Sequence, residues 1–364
     1  LYSEEIPPQL QIGARNQLKL FFEKSFEEEN IKCKELVIFS SPTRLTLAAR
    51  DIAEKIKIDS KEIKGPKVGS PDSILQGFMK AKKVSQSNLV EKETDKGKFY
   101  FIKIEPKNIL VEELLQSMIP KALNSISWKK SMKWSEHNLI WGRPLRSILA
   151  LFNGKKISFR FDHLESSDEI IIEKDLTLKS KRINNFKEYN SVLKNNNIIL
   201  DHNERERLIV KKFRKIYKSK SYKEYFNLKL LEEVVNIVEC PNVLLINFNK
   251  DYLQIPKEII ISTLEKNQRY FPIFDGQNRL TNYFFVVANK KDEKKFILEG
   301  NKRVVEARLS DAKFFWDKDR SKNLIKQIVN LKTITFYEKL GTIYDKTQRI
   351  RQLAGLLSDD LNIN

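Results

Sequence analysis

The sequence predicts an α+β protein, and three observations carry that prediction. Short runs with period-two alternation, such as Glu35–Ile52 and Asp95–Pro106, read as strands. Other stretches place apolar residues three and four apart, the repeat of a helix with one buried face. Asn153–Gly154 lies between two apolar runs and suits a tight hairpin turn, in which both central residues need positive φ.

Taken in order, Pro7–Pro8 opens a helix whose stripe is Leu10, Ala14, Leu18, Phe21 and Phe22. Glu35–Ile52 reads as two strands joined at Ser41–Pro42. In the second, Leu45, Leu47 and Ala49 share one face and Arg44, Thr46 and Ala48 the other. Lys61–Ser73 reads as a lysine-rich Gly/Pro/Ser loop before a short helix, and Asp95–Pro106 as a turn and strand. Ile109–Ile126 is a helix that Pro120 should kink or split, because proline lacks the N–H and clashes with the preceding turn. Trp128, Trp134 and Trp141 read as core or interface anchors. Arg143–Phe161 is a hairpin. His163–Tyr225 is charged and poor in apolar periodicity until a basic helix, Arg205–Lys223, with Leu208, Ile209, Phe213 and Ile216 as its stripe. Lys257–Phe271 follows as a helix with Ile260, Leu264, Asn267 and Phe271 on one face. An apolar strand, Leu280–Asn289, precedes a helix with Val305, Leu309, Ala312 and Trp316 buried. From Asn323 the pattern is purely helical.

The 364 residues suit two or three domains, and 41% hydrophobic content excludes a disordered chain. The net charge of +19 favours a polyanionic partner, since each cation set against a phosphate releases counterions. Cys33 and Cys240 are isolated, which excludes a disulfide scaffold or a Cys-based zinc site and fits a reducing, cytoplasmic setting. No apolar run approaches the roughly 18 residues of a membrane span, and no signal peptide is present. The chain begins at Leu1 and reads as a fragment of a longer protein.

No catalytic or metal-ligating constellation emerges. His137, His163 and His202 lack the i,i+4 partner of a zinc helix, and there is no Gly-rich phosphate loop or nucleophile elbow. The candidates are cations. Lys211, Lys212, Arg214 and Lys215, interleaved with tyrosines, suit an RNA backbone with occasional stacking. Asn267 and Arg269 lie at the end of their helix, where cations also complement the dipole. Asn301, Lys302 and Arg303 are read at the start of the next helix, where positive charge opposes the dipole and a phosphate partner would explain it. Arg308 stands on its shoulder, within pairing reach of Asp311. The plain structural alternative for each is a solvated charged face.

Several stretches resemble, in the same order, the β subunit of bacterial glycyl-tRNA synthetase. They are EEIPPQ (Glu4–Gln9), PTRL (Pro42–Leu45), KGP (Lys64–Pro66), MKW (Met132–Trp134), RP (Arg143–Pro144), Leu230–Phe248, Ile255–Phe274, Phe284–Asn289, Gly300–Arg320 and Lys339–Ala354. The resemblance covers nearly the whole chain, as the N-terminal half of such a subunit. It implies a mixed-sheet editing-type domain like that of phenylalanyl-tRNA synthetase β, in two parts (1–162 and 229–320) around a charged insertion with the basic helix (163–228). The start of an all-helical HD-type domain would follow at 321–364. It implies a cytoplasmic heterotetramer of two α and two β subunits. The α subunit would use ATP with magnesium to attach glycine, and β would bind tRNA(Gly) and bind no cofactor itself. A Gly-His-Arg-Phe element expected after the hairpin is replaced here by Asp168–Phe186. Two alternatives stand beside this reading, an editing-type deacylase of mischarged tRNA and a stand-alone RNA-binding or assembly module.

Overall fold

The computed structural model describes residues 1–58, 61–82, 85–86, 89–95, 97–104, 107–174 and 177–362. The chain forms two compact units, Leu1–Val210 with Leu231–Pro241, and Lys211–Leu230 with Asn242–Asn364.

The elements run β1 (Tyr2–Ser3), α1 (Pro8–Glu28), β2 (Glu35–Ser41), β3 (Arg44–Arg50), β4 (Lys55–Ile58), β5 (Lys61–Lys67), α2 (Asp72–Lys82), β6 (Leu89–Thr94), β7 (Gly97–Ile104), β8 (Lys107–Leu110) and α3 (Val111–Ser125). Next come β9 (Leu145–Leu149), β10 (Leu151–Phe152), β11 (Lys155–Lys156), β12 (Arg160–Phe161), β13 (Leu164–Ser167), β14 (Glu169–Lys174), β15 (Thr177–Arg182), α4 (Phe186–Asn195) and α5 (His202–Lys220). The last are β16 (Tyr222–Lys223), α6 (Leu228–Val235), β17 (Asn242–Asn247), α7 (Lys257–Ser262), β18 (Phe271–Asp275), β19 (Leu280–Ala288), α8 (Phe296–Arg320), α9 (Leu324–Gln327), β20 (Thr335–Tyr337), β21 (Gly341–Thr342) and α10 (Ile343–Asp360). The α+β class holds.

The first unit is built on a six-stranded sheet of order β12-β13-β9-β1-β3-β2, mixed because β13 runs parallel to β9. Both its faces are covered. Leu18, Phe22 and Phe26 of α1 and Leu115, Met118 and Ala122 of α3 pack with Ile38, Leu45 and Ile148. One residue along each strand, Phe39 and Leu149 point the other way, against Ile170 and Ile172 of β14, Ile183 just after β15, and Tyr189 and Leu193 of α4. Thus the charged stretch after His163, expected to lack apolar periodicity, carries a second small core. The whole of β15 is exposed and lysine-rich, and it hides the pattern.

Other local expectations shift. Lys61–Lys67 is a strand paired with β7, whose partners satisfy the backbone that the Gly/Pro content suggested would lie in a loop. Pro120 sits inside a single helix, Val111–Ser125, which is not split in two. Asn153 (φ 48°) and Gly154 (φ 77°) make the expected turn between β10 and β11. Trp141 is buried against Trp128, ring centroids 5.0 Å apart, and a Cβ on Gly142 would lie 2.5 Å from the Trp128 ring. Beyond Arg320 the chain is not purely helical: β20 and β21 pair antiparallel before α10.

The second unit centres on a four-stranded sheet, β16-β18-β19-β17. Phe284 and Val286 of β19 face a core with Ile260, Leu264, Val305 and Leu309 from the α7 and α8 side. Phe285 points to the opposite face and stacks on Phe213 of α5, centroids 4.4 Å apart. Among the described residues no helix is long and apolar enough to cross a membrane.

Candidate nucleic-acid interface

Helix α5 buries Arg205, Ile209, Phe213 and Tyr217, one residue in four. This corrects the expected stripe, since Leu208 is 42% exposed and Ile216 half-buried. Tyr217, one of the tyrosines interleaved with these cations and expected to be free for stacking, is core. Its hydroxyl donates to the Tyr225 carbonyl at 2.8 Å, and burial pushes its pKa up. Tyr225 packs on Phe274 and donates to Glu265, and Tyr222 leans on Tyr283, so these rings are committed to packing as well.

Arg205 is likewise not a surface cation. It is fully buried, and its guanidinium donates to the carbonyls of Val235 (2.9 Å), Ile199 (2.6 Å), Leu200 (3.0 Å) and Ser40 (2.9 Å). Burial lowers its pKa to about 10. A planar fork of five donors is suited to four separate acceptors.

Lys211, Lys212 and Lys215 are exposed and form no ion pair among the described residues. With Lys218, Lys211 and Lys215 follow a 4-3 spacing along the outer side of α5, about 10 Å of helix at 1.5 Å per residue. Arg214 differs, because its Nε donates to Glu224 at 2.8 Å and its guanidinium lies over the Phe226 ring.

The other four candidates lie across the sheet. Helix α7 widens into a π-helical turn, Thr263–Asn267, so Phe271 belongs to β18 and not to a helical face. Such turns recur at functional sites. Arg269 sits in the left-handed region (φ 59°), a place glycine usually fills after a helix. Behind it the Tyr270 N–H reaches back to the Leu264 carbonyl at 2.9 Å, and the Arg269 guanidinium donates to the Lys266 carbonyl at 2.6 Å. Arg269 therefore closes the helix end. Asn267 is exposed beside it.

Helix α8 starts at Phe296, earlier than expected. Both carboxylate oxygens of Asp292 accept its first N–H groups, from Ile297 (3.0 Å) and Leu298 (2.7 Å). Asn301, Lys302 and Arg303 consequently lie beyond the first turn, and the opposed-dipole argument for them falls. Asn301 accepts from the Tyr270 hydroxyl. Arg303 is exposed on the side opposite Val305 and Leu309, and Arg308 is exposed on the flank.

The fold therefore divides the eight candidates into two patches. Lys211, Lys212, Arg214 and Lys215 lie on one face of the sheet, and Asn267, Arg269, Arg303 and Arg308 on the other. The continuous apolar run Phe284–Val287 was the available signal, since a strand apolar at every position is covered on both faces. The arrangement offers positive charge and hydrogen-bond donors, the chemistry of backbone contact with a polyanion.

In the first unit the fold also joins two histidines that look scattered in sequence. His137 and His163 stack with centroids 3.6 Å apart, and His163 Nδ1 shares a hydrogen bond with Asp162 at 2.9 Å, which lowers the Asp162 pKa. Among the described residues no group of three or more His, Cys, Asp or Glu could hold a metal ion.

A family model described as the glycyl-tRNA synthetase beta subunit matches residues 1–364. A glycine–tRNA ligase beta subunit of Rickettsia peacockii (strain Rustic) is 33% identical over 359 residues, covering 98% of this chain and 54% of that protein. Those of Rickettsia bellii (strain OSU 85-389) and Rickettsia prowazekii (strain Madrid E) are each 34% identical, covering 99% of this chain and 55% and 54% of theirs. The chain thus spans about half the length of the curated relatives it matches. On this match over its whole length, the chain belongs to the glycyl-tRNA synthetase β-subunit family.

Proposed function

We propose that the protein to which this chain belongs is the β subunit of glycine–tRNA ligase, binding tRNA(Gly) and positioning it for an α subunit that attaches glycine with ATP and magnesium. On this reading the partners form a cytoplasmic assembly of two α and two β subunits. Residues 1–162 and 229–320 would be the editing-type domain around the charged insertion 163–228, and the tail from Ser321 would open the HD-type domain.

Family membership supplies the frame, and one observation carries the tRNA-binding role. Lys211, Lys212 and Lys215 are held outward on a helix whose inner row is anchored by Ile209, Phe213 and Tyr217. Rigidly presented lysines with no ion pair among the described residues favour a phosphate backbone, and the +19 charge strengthens the attraction at long range. The chain's own work would be to raise the effective concentration of the acceptor end at α. The test is glycylation by α alone, by full-length β alone and by the two mixed. The reading requires charging only in the mixture, and equal charging by α alone would defeat it.

A further inference from the structure

The first unit contains a cleft of about 790 Å³ that none of the eight candidate residues lines. It forms where three distant segments are joined by backbone hydrogen bonds. Ser3 N–H donates to the Thr43 carbonyl (2.9 Å), Ile6 N–H to Pro42 (2.6 Å) and Glu4 N–H to Pro144 (3.0 Å). The stretches EEIPPQ, PTRL and RP, far apart in sequence, thereby meet at one place.

The walls are rigidly held. Arg44, with its side chain 3% exposed, donates to Thr43 Oγ1 (2.7 Å) and the Ile171 carbonyl (2.6 Å), lies over the Tyr2 ring and stands 3.9 Å from Glu239. Ser41 and Thr43 also donate to Glu239, at 2.6 and 2.8 Å. The Tyr2 hydroxyl donates to Glu173 at 2.8 Å. Arg146 spans Glu4 at 2.7 Å and Glu173 at 4.0 Å.

The lining holds three arginines and four glutamates, and the ligand is read from which of them lack an opposite partner. Arg44 is matched by Glu239, and Arg146 by Glu4 and Glu173. The cleft is therefore net negative by one charge, and Arg143 and Glu5 stand outside these pairs. Arg143 is half-buried, and its described hydrogen bond goes only to the neighbouring Gly142 carbonyl at 2.9 Å, leaving guanidinium donors to spare. Glu5 has no ion pair or hydrogen bond among the described residues. A purely anionic ligand would satisfy Arg143 and leave Glu5 repelling it. A purely cationic one would do the reverse. A nucleic-acid backbone would meet four carboxylates.

The geometry points to a binding site for a small zwitterion of the α-amino-acid class, its carboxylate on the Arg143 fork and its ammonium at Glu5. Ile6, Ile198 and Ile237 give an apolar wall for a side chain, and Pro7, Pro8 and Pro42 stiffen the rim. This site is independent of the tRNA role proposed above.

The experiment is ligand-observed NMR or calorimetry on the full-length protein with free amino acids from glycine to phenylalanine, each matched by its deaminated acid and its carboxamide. At least one amino acid should bind saturably, with both matched analogues about tenfold weaker or worse. Arg143→Gln and Glu5→Gln should each weaken binding about tenfold or more while thermal melting and tRNA affinity stay unchanged. Saturable binding of no amino acid overturns the proposal. So does equal binding of the deaminated acids with no effect of Glu5→Gln, which would make the cleft a simple anion site.

Discussion

Replacing Arg205 by methionine removes every donor from a fully buried position while keeping most of the side-chain length. Four carbonyls, from Ser40 on β2, Ile199 and Leu200 before α5, and Val235 at the end of α6, then lose their charged partner. At the low end of the range for bonds to a charged group, about 1.5 kcal/mol each, they contribute roughly 6 kcal/mol. Against this stands the cost of holding a cation away from water. Burial takes the pKa down to about 10, a loss of roughly 3 kcal/mol at about 1.4 per unit. The difference leaves Arg205 stabilising the first unit by about 3 kcal/mol, a large share of a domain's usual 5–15 kcal/mol. Three of the four tryptophans, Trp128, Trp134 and Trp141, lie in that unit, so in a Trp316→Phe background tryptophan fluorescence during urea unfolding reads the change. Arg205→Met should lower the unfolding free energy by about 3 kcal/mol. Arg205→Lys should lose most of that too, because one ammonium cannot reach four separate acceptors. A loss under about 1 kcal/mol, or a fall in RNA affinity at unchanged stability, would return Arg205 to the exposed basic row and refute the reasoning.

The His202 imidazole is held down at about pKa 4, first by burial and second by the Arg15 guanidinium, and its Nδ1 is buried with no hydrogen-bond partner among the described residues. The neutral form is the one the fold accepts. Stability should therefore be full above the ordinary pKa of 6.5, fall as pH drops toward about 4 and level off below it. Discounted for partial exposure, the loss is about 1–2 kcal/mol, and His202→Gln should flatten that part of the urea-unfolding pH profile. An unaltered profile would contradict the assignment. Gly142→Ala should cost about 1–3 kcal/mol, because its Cβ would press on the Trp128 ring, and an unchanged melting midpoint would show that the ring can move. Arg303→Ala, on the outer side of α8, should leave stability within about 0.5 kcal/mol and weaken tRNA binding; unchanged affinity removes Arg303 from the interface.

Much of the fold was legible in the sequence where the signal is local. The α1 stripe, the alternation of β3 and the Asn153–Gly154 turn depend on neighbours a few residues apart, and all three formed. What stayed hidden depends on distant partners. A buried arginine looks like its exposed neighbours until the carbonyls of residues 40, 199, 200 and 235 are brought around it. The start of α8 was misplaced because its cap is Asp292, separated from the helix by Lys295 in the left-handed region. The β20–β21 pair was hidden in a stretch dominated by helical spacing, although the β-branched run Thr333–Thr335 was a usable sign. Of the candidate site, the residues were legible but their grouping was not. Which face of the sheet each helix covers follows from the pairing of β18 with β19, a feature no single stretch encodes.

The outward lysines of α5 are where nucleic-acid binding is tested most directly. Equilibrium binding of tRNA to the full-length protein should be measured across a salt series, for the native protein and for Lys211, Lys212 and Lys215 all changed to alanine. If these lysines contact phosphates, the slope of log affinity against log salt becomes shallower by about 2–3, roughly 0.7–0.9 per contact, at unchanged stability. The same affinity and the same slope in both proteins would contradict the claim that this face binds nucleic acid.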